Sequence, residues 1–163
     1  MDAQRYTKLT AFAKELLTHH SLEDGLPLIA NYLKDVIGAQ RCSIFIVDNA
    51  KEELWSTHAD GVEKIVIPKD KGIVGHTLEV KKPVIVNDAY SDERFLEKVD
   101  QETGYRTKNL LTAPIFNSKR EIIGVLELLN KEGGFDNEDV KFIIFFAHYV
   151  SGFLELVTTF GEK

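Results

Sequence analysis

Cysteine is almost absent: Cys42 stands alone in 163 residues. That excludes an internal disulfide framework and any zinc site built from several thiolates. No apolar run approaches the roughly 18 residues of a membrane-spanning helix. The opening Met1-Asp2-Ala3-Gln4-Arg5 lacks the basic-then-apolar order of a secretory signal. The expectation is a soluble, cytoplasmic chain with no membrane partner. An excess of positive charge is missing too, since 20 Lys and Arg stand against 26 Asp and Glu, for a net charge of −6. The basic residues are dispersed. Broad nucleic-acid binding, which rests on neutralising phosphates, is therefore not expected. A single small anion remains within reach, because helix N-termini and backbone N–H groups hold one without net positive charge.

Catalytic signatures are lacking as well. His19, His20, His58, His76 and His148 show no metal-ligand spacing, and neither His-Glu-x-x-His nor an Asx-rich calcium loop occurs. No Gly-x-Ser-x-Gly elbow exists. Gly72 and Gly75 lie too close together for a Walker loop or a dinucleotide fingerprint. Cys42 falls inside an apolar strand, the setting of a buried, unreactive thiol. His19-His20 ends a helix as solvated cap residues.

What is present has the make-up of one globular domain, at 44% hydrophobic and 28% charged residues. A chain of this length buries about 68–70% of its unfolded surface. Tyr6, Leu9, Phe12, Ala13, Leu16 and Leu17 recur at helical spacing and predict a helix over 3–19. Ser21-Leu22-Glu23-Asp24 starts a second helix that runs to Val36 and is ended by Gly38. Strands are predicted over 42–47, 53–57, 65–67 and 83–86. Gly72 opens a short helix, and residues 92–103 form a polar helix or helical loop ending at Gly104. Residues 110–116 and 122–129 make a hairpin around Asn117-Ser118-Lys119-Arg120, and residues 136–160 form a long helix. This order predicts an antiparallel sheet with helices on its faces, an α+β domain.

The last helix carries two apolar stripes. One is Val140, Ile143, Ile144, Ala147, Val150, Leu154 and Val157; the other is Phe142, Phe145, Phe146, Tyr149, Phe153, Leu156 and Phe160. A helix apolar all round is buried all round. The expectation is that the N-terminal helix covers part of it and a second subunit the rest.

Glu127 is the strongest polar anomaly. It interrupts Ile122-Ile123-Gly124-Val125-Leu126-Glu127-Leu128-Leu129, a strand apolar on both faces and hence central in a sheet. A carboxylate there is costly unless it is paired or reaches a cavity; contact with a ligand is weighed slightly above pairing with a nearby cation or backbone donor. Ser43 occupies a similar place in the first strand. Gly72-Ile73-Val74-Gly75 puts free N–H groups at a helix N-terminus, where the dipole favours an anion, although an ordinary helix entry has the same appearance. Asp100, Thr103 and Thr107 gather around Gly104, either to bond a ribose, phosphate or base, or to cap the helix end.

Four blocks carry a resemblance: Asp70-Lys71-Gly72-Ile73-Val74-Gly75-His76, Asn87-Asp88-Ala89-Tyr90, Val99-Asp100-Gln101-Glu102-Thr103-Gly104-Tyr105-Arg106-Thr107 and Glu127-Leu128-Leu129-Asn130-Lys131. Together they resemble a GAF domain, most of all the cyclic-nucleotide-binding GAF domains that regulate phosphodiesterases and bacterial adenylyl cyclases. The resemblance runs from about Leu22 to Leu156. It implies a six-stranded antiparallel sheet with terminal helices on one face, and short helices plus the ligand pocket on the other. It also implies a role for each matching position. Ser43 and Asp60 match contacts to the purine, and the backbone N–H groups of Ile73 and Val74 match contacts to the phosphate. Leu96 matches a pocket residue near that phosphate. Asp100, Thr103 and Thr107 match polar contacts, and Glu127 matches the pocket carboxylate. Ala59 stands where cGMP binders often place an aromatic ring, and one missing stack costs ~1–3 kcal/mol by analogy with base stacking elsewhere. Lys131 and Asp139 match a structural clasp between the last strand and the last helix, worth ~0–1 kcal/mol if exposed; Val140 replaces the Glu that follows it in the family. The sulfoxide reductases of this fold need several cysteines and the bilin photoreceptors a pocket cysteine, neither of which is found here.

The expectation is thus one domain over 1–163, with an N-terminal helix in 1–20, a core in 22–135 and a C-terminal helix in 136–160. It would be non-catalytic, without cofactor or metal, and would bind a small ligand, a cyclic nucleotide first of all. It would form a homodimer through its terminal helices and couple to a fused or separate output domain. The second reading is a dimerisation or protein-interaction module with an empty pocket, and the third a sensor of another small metabolite.

Overall fold

The computed structural model describes residues 3–16, 22–60 and 64–156. Helices α1 (Ala3–Leu16) and α2 (Leu22–Ile37) lead into strands β1 (Ala39–Asp48), β2 (Glu53–Ala59) and β3 (Val66–Pro68). Helix α3 (Gly72–Val80), strand β4 (Val84–Val86), a 3-10 turn (Ala89–Ser91) and helix α4 (Lys98–Thr103) follow. Strands β5 (Leu110–Phe116) and β6 (Ile122–Lys131) then form the predicted hairpin, and α5 (Asn137–Leu156) closes the described chain. The six strands form one sheet in the order β3-β2-β1-β6-β5-β4, antiparallel at every pairing.

Strand alternation sorts the side chains into two layers. Cys42 and Ile44 of β1, Leu111, Ala113 and Ile115 of β5, and Leu126 and Leu128 of β6 face one way. They form the main core with Leu9 and Phe12 of α1, Ile29 and Leu33 of α2, and Phe142, Ile143 and Phe146 of α5. The intervening residues face α3 and the 89–107 segment. Phe45, Leu54, Ile67 and Val125 pack with Val74 there, and Leu110 and Val86 pack with Ile73. The α+β architecture expected from the sequence is therefore present, with the terminal helices on one face and the short ones on the other.

Two expectations need correction. β1 begins at Ala39, because Ala39 and Arg41 pair with Lys131 and Leu129 of β6 beyond the end of the apolar run. The two stripes of α5 are mostly covered from within the chain: Phe142, Phe146 and Phe153 are as buried as Ile143, Val150 and Leu154. Phe12 and Tyr32 stack on each other at 4.3 Å between ring centroids, and both lie within about 5.5 Å of the Phe146 ring. Ile144 and Phe145, 41% and 49% exposed, are the large apolar residues left open on the described part of α5. Val157 and Phe160, the side chains of Tyr149 and Leu156, and His19-His20 lie outside what is described.

Candidate ligand-binding site

A cavity holding about 650 Å³ of empty space, its open mouth included, lies between the sheet and the α3–α4 layer. Its floor is set by register. Ser43 of β1 pairs with Glu127 of β6, which pairs with Thr112 of β5, and Ala59 of β2 pairs with Ser43 on the other side. Directly opposed residues share a sheet face, so Ala59, Ser43, Glu127 and Thr112 form one row beneath the cavity.

Each member of this row ends differently. Thr112 is fully buried and shares a 2.6 Å hydrogen bond with Thr77 of α3, whose hydroxyl also donates to the Ile73 carbonyl. It ties the roof to the floor and takes no part in the cavity wall. Ser43 and Glu127 do line the cavity, and among the described residues neither side chain has a hydrogen-bond partner. Burial pushes the Glu127 carboxyl from an ordinary 4.5 to about 7, and the negative charge of Asp100 adds to the shift. Ala59 lies at the end of the row, outside the described wall.

The roof presents backbone. α3 starts at Gly72, which has φ +73°, a conformation that disfavours any side chain. A Cβ on Gly75 would stand 2.9 Å from the Lys69 carbonyl oxygen, so the helix reaches the preceding loop only because Gly75 has none. Lys71 at the N-cap makes no side-chain cap. The amides of Ile73 and Val74, in the first turn, donate to no described side chain, and both residues line the cavity beside Leu96.

The remaining expected residues are held by their own surroundings. Asp100 is buried and accepts three hydrogen bonds: from Thr107 N–H at 2.7 Å, from the Thr107 hydroxyl at 2.9 Å and from the Tyr90 hydroxyl at 2.7 Å. It closes the loop after α4, and its carboxylate is engaged by the loop's own donors at the cavity wall. Thr103 lies on the rim, with its hydroxyl given to the Val99 carbonyl at 2.8 Å, which is the capping arrangement. Asp60 accepts from Cys42 N–H at 2.9 Å and pairs with Lys34 of α2 at 2.7 Å. Lys131 and Asp139 lie outside the cavity and meet at 2.6 Å, with Arg5 of α1 at 3.4 Å from the same carboxylate. The Asp139 side chain is 1% exposed, so this pair is buried where an exposed one was considered.

Cys42 points into the helix-side core, away from the cavity, and burial pushes its thiol far up. Among the described residues no three His, Cys, Asp or Glu side chains group so as to hold a metal ion. No described helix is long and apolar enough to cross a membrane.

Sequence reasoning missed Arg41 and Tyr105. Arg41 lines the cavity with its guanidinium 3.7 Å above the Tyr105 ring. It stands two positions before Ser43, so period-two alternation would have found it had the strand been started at Ala39.

A six-stranded antiparallel sheet with helices on one face and a roofed, part-polar cavity on the other is the architecture of a small-molecule-binding regulatory domain. Residues 21–154 match the family model of the GAF domain, and the chain belongs to that family. An alignment of 122 positions that covers 65% of this chain is 37% identical to a dual 3',5'-cyclic-AMP and -GMP phosphodiesterase 11A of Takifugu rubripes; it spans 14% of that relative's length. The GAF domain of a phosphoenolpyruvate-protein phosphotransferase from Coxiella burnetii superposes with a TM-score of 0.85 at 20% identity, covering 95% of each chain. The free methionine-R-sulfoxide reductase of Neisseria meningitidis superposes at 0.80 and 18% identity, covering 98% of this chain and 95% of that one. At such identities these two share the fold.

Proposed function

We propose that this GAF domain is a non-catalytic sensor whose cavity binds a cyclic nucleotide and whose terminal helices pass the binding event to an output domain. The observation that carries the reading is the Glu127 carboxyl, unpartnered among the described residues and standing in the cavity floor beside the equally unpartnered Ser43 hydroxyl. A half-buried carboxyl without a donor is costly in the empty domain and gains a partner when a ligand N–H arrives. A purine offers such N–H groups. The first-turn amides of α3 and the local dipole suit a phosphate. The resemblance of the residue blocks and the phosphodiesterase relative point to the same ligand class. With its single thiol buried on the other side of the sheet, the cavity holds no cysteine for redox chemistry.

Binding pulls α3 and the 89–107 segment onto the sheet, and differential affinity for two arrangements biases the terminal helices. The exposed Ile144 and Phe145 of α5 are the described residues that a second subunit would cover. The comparison that tests the site is calorimetric titration of ligand-stripped wild type and Glu127→Gln with cGMP and cAMP. Saturable binding weakened about tenfold or more by the substitution, the worth of one charge-assisted hydrogen bond, is expected. Binding that Glu127→Gln leaves untouched would remove Glu127 from the site.

A further inference from the structure

We propose that Arg41 is the residue that recognises the ligand's anionic group, taking it through the edge of its guanidinium. This assignment rests on the cyclic-nucleotide reading and adds to it a side chain that selects for charge. Among the described residues that line the cavity, Arg41 is the only Lys or Arg. Of the cations around it, Lys34 pairs with Asp60, Arg94 with Asp92 and Lys131 with Asp139, while Arg106 lies over the Tyr90 ring outside the cavity wall. Arg41 has no carboxylate partner and no hydrogen-bond acceptor among the described residues. Five N–H donors on a permanently charged, planar group are therefore unspent at the cavity.

The group is also pre-set. Its guanidinium lies 3.7 Å from the Tyr105 ring centroid, a stacked contact that leaves the donor-bearing edge free. Tyr105 is itself held at its hydroxyl, which donates to Gln40 Oε1 at 2.8 Å and accepts from Asn130 Nδ2 at 2.8 Å. Asn130 is buried, and its Oδ1 accepts from Lys108 N–H at 2.6 Å. A rigid series of contacts thus runs from the β6 end through Tyr105 to Arg41.

The charge balance requires such a group. Asp100 and Glu127 both line the cavity, so an anion entering it meets carboxylates. The first-turn amides of α3 offset part of that repulsion, and Arg41 adds a bidentate guanidinium–phosphate pair that makes the monoanion bind better than its uncharged nucleoside.

The test is calorimetric titration of wild type, Arg41→Gln and Arg41→Lys with cGMP, cAMP, guanosine and adenosine at 50 and 300 mM NaCl. Thermal unfolding of each variant reports that it is folded. The expected result is a loss of tenfold or more in cyclic-nucleotide affinity for Arg41→Gln, with a flattened salt dependence and unchanged nucleoside affinity. Arg41→Lys, which keeps the charge and loses the fork, falls between. Unchanged cyclic-nucleotide affinity in folded Arg41→Gln overturns the assignment alone. An equal loss for the nucleosides overturns it too, by making Arg41 a base or shape contact. Failure of wild type to bind either cyclic nucleotide overturns the sensor reading, and the assignment with it.

Discussion

At the scale of single residues, the unusual groups are those without partners. Glu127 has a folded-state pKa of about 7 against an ordinary 4.5. The folded state therefore holds its proton over a range in which the unfolded chain has lost it. Stability from this group is fully present below about pH 4.5 and is lost as pH rises to about 7. The full shift is worth about 3 kcal/mol, and the open mouth of the cavity reduces that to ~1–2 kcal/mol. Glu127→Gln should remove this loss, so that urea unfolding of the ligand-free variant shows it more stable than wild type at pH 8 and closer to it at pH 5. Tyr32 is the second case. Its hydroxyl is buried with no partner in the aromatic cluster, and burial pushes it up to about 12. Tyr32→Phe keeps the stack on Phe12 and should be neutral or stabilising by up to ~1 kcal/mol in thermal unfolding. Glu127 was legible in the sequence because a carboxylate interrupts an apolar strand. Tyr32 was not, because a tyrosine on an amphipathic helix gives no sign of where its hydroxyl ends.

At the scale of elements, hydrophobic periodicity located the strands and the long helices, and tertiary pairing decided where several of them end. The sequence shows β1 as the apolar run from Cys42, while β6 extends it back to Ala39 and so brings Arg41 to the cavity. The same limit applies to α5. Its two stripes are plain in the sequence, but the count of apolar residues does not say that the sheet, α1 and α2 together cover both. Asp100 and Thr107 were found as candidates by their clustering. That they bond each other is a property of the folded loop, which closes after Gly104. The clasp at the base of α5 belongs to this scale as well. Asp139 is fully buried, holds Lys131 and Arg5, and accepts from Asp136 N–H at 3.1 Å. It fastens β6, α1 and the start of α5 at one point. Asp139→Ala takes the buried carboxylate away from Lys131 and should cost about 3 kcal/mol in chemical denaturation, well above the figure for an exposed pair. A loss under ~1 kcal/mol would mean that solvent screens the clasp.

At the scale of the whole molecule, one sheet separates two tasks. Its helix-side face carries the large core and the terminal helices that would meet a partner. Its other face carries the cavity, whose floor acid, wall cation and roof amides have no side-chain hydrogen-bond partner among the described residues. The two faces are joined through shared strands: Cys42, Ser43 and Ile44 lie side by side on β1, and the Asp60–Lys34 pair joins the cavity wall to α2. The measurement closest to the central claim is calorimetric titration of the ligand-stripped wild-type domain with cGMP and cAMP at pH 6 and pH 8. The account predicts saturable one-to-one binding of at least one of them. Affinity should be about tenfold tighter at pH 8, because Glu127, with a pKa of about 7, is mostly ionised there and mostly protonated at pH 6. Absence of binding at both pH values would contradict the account.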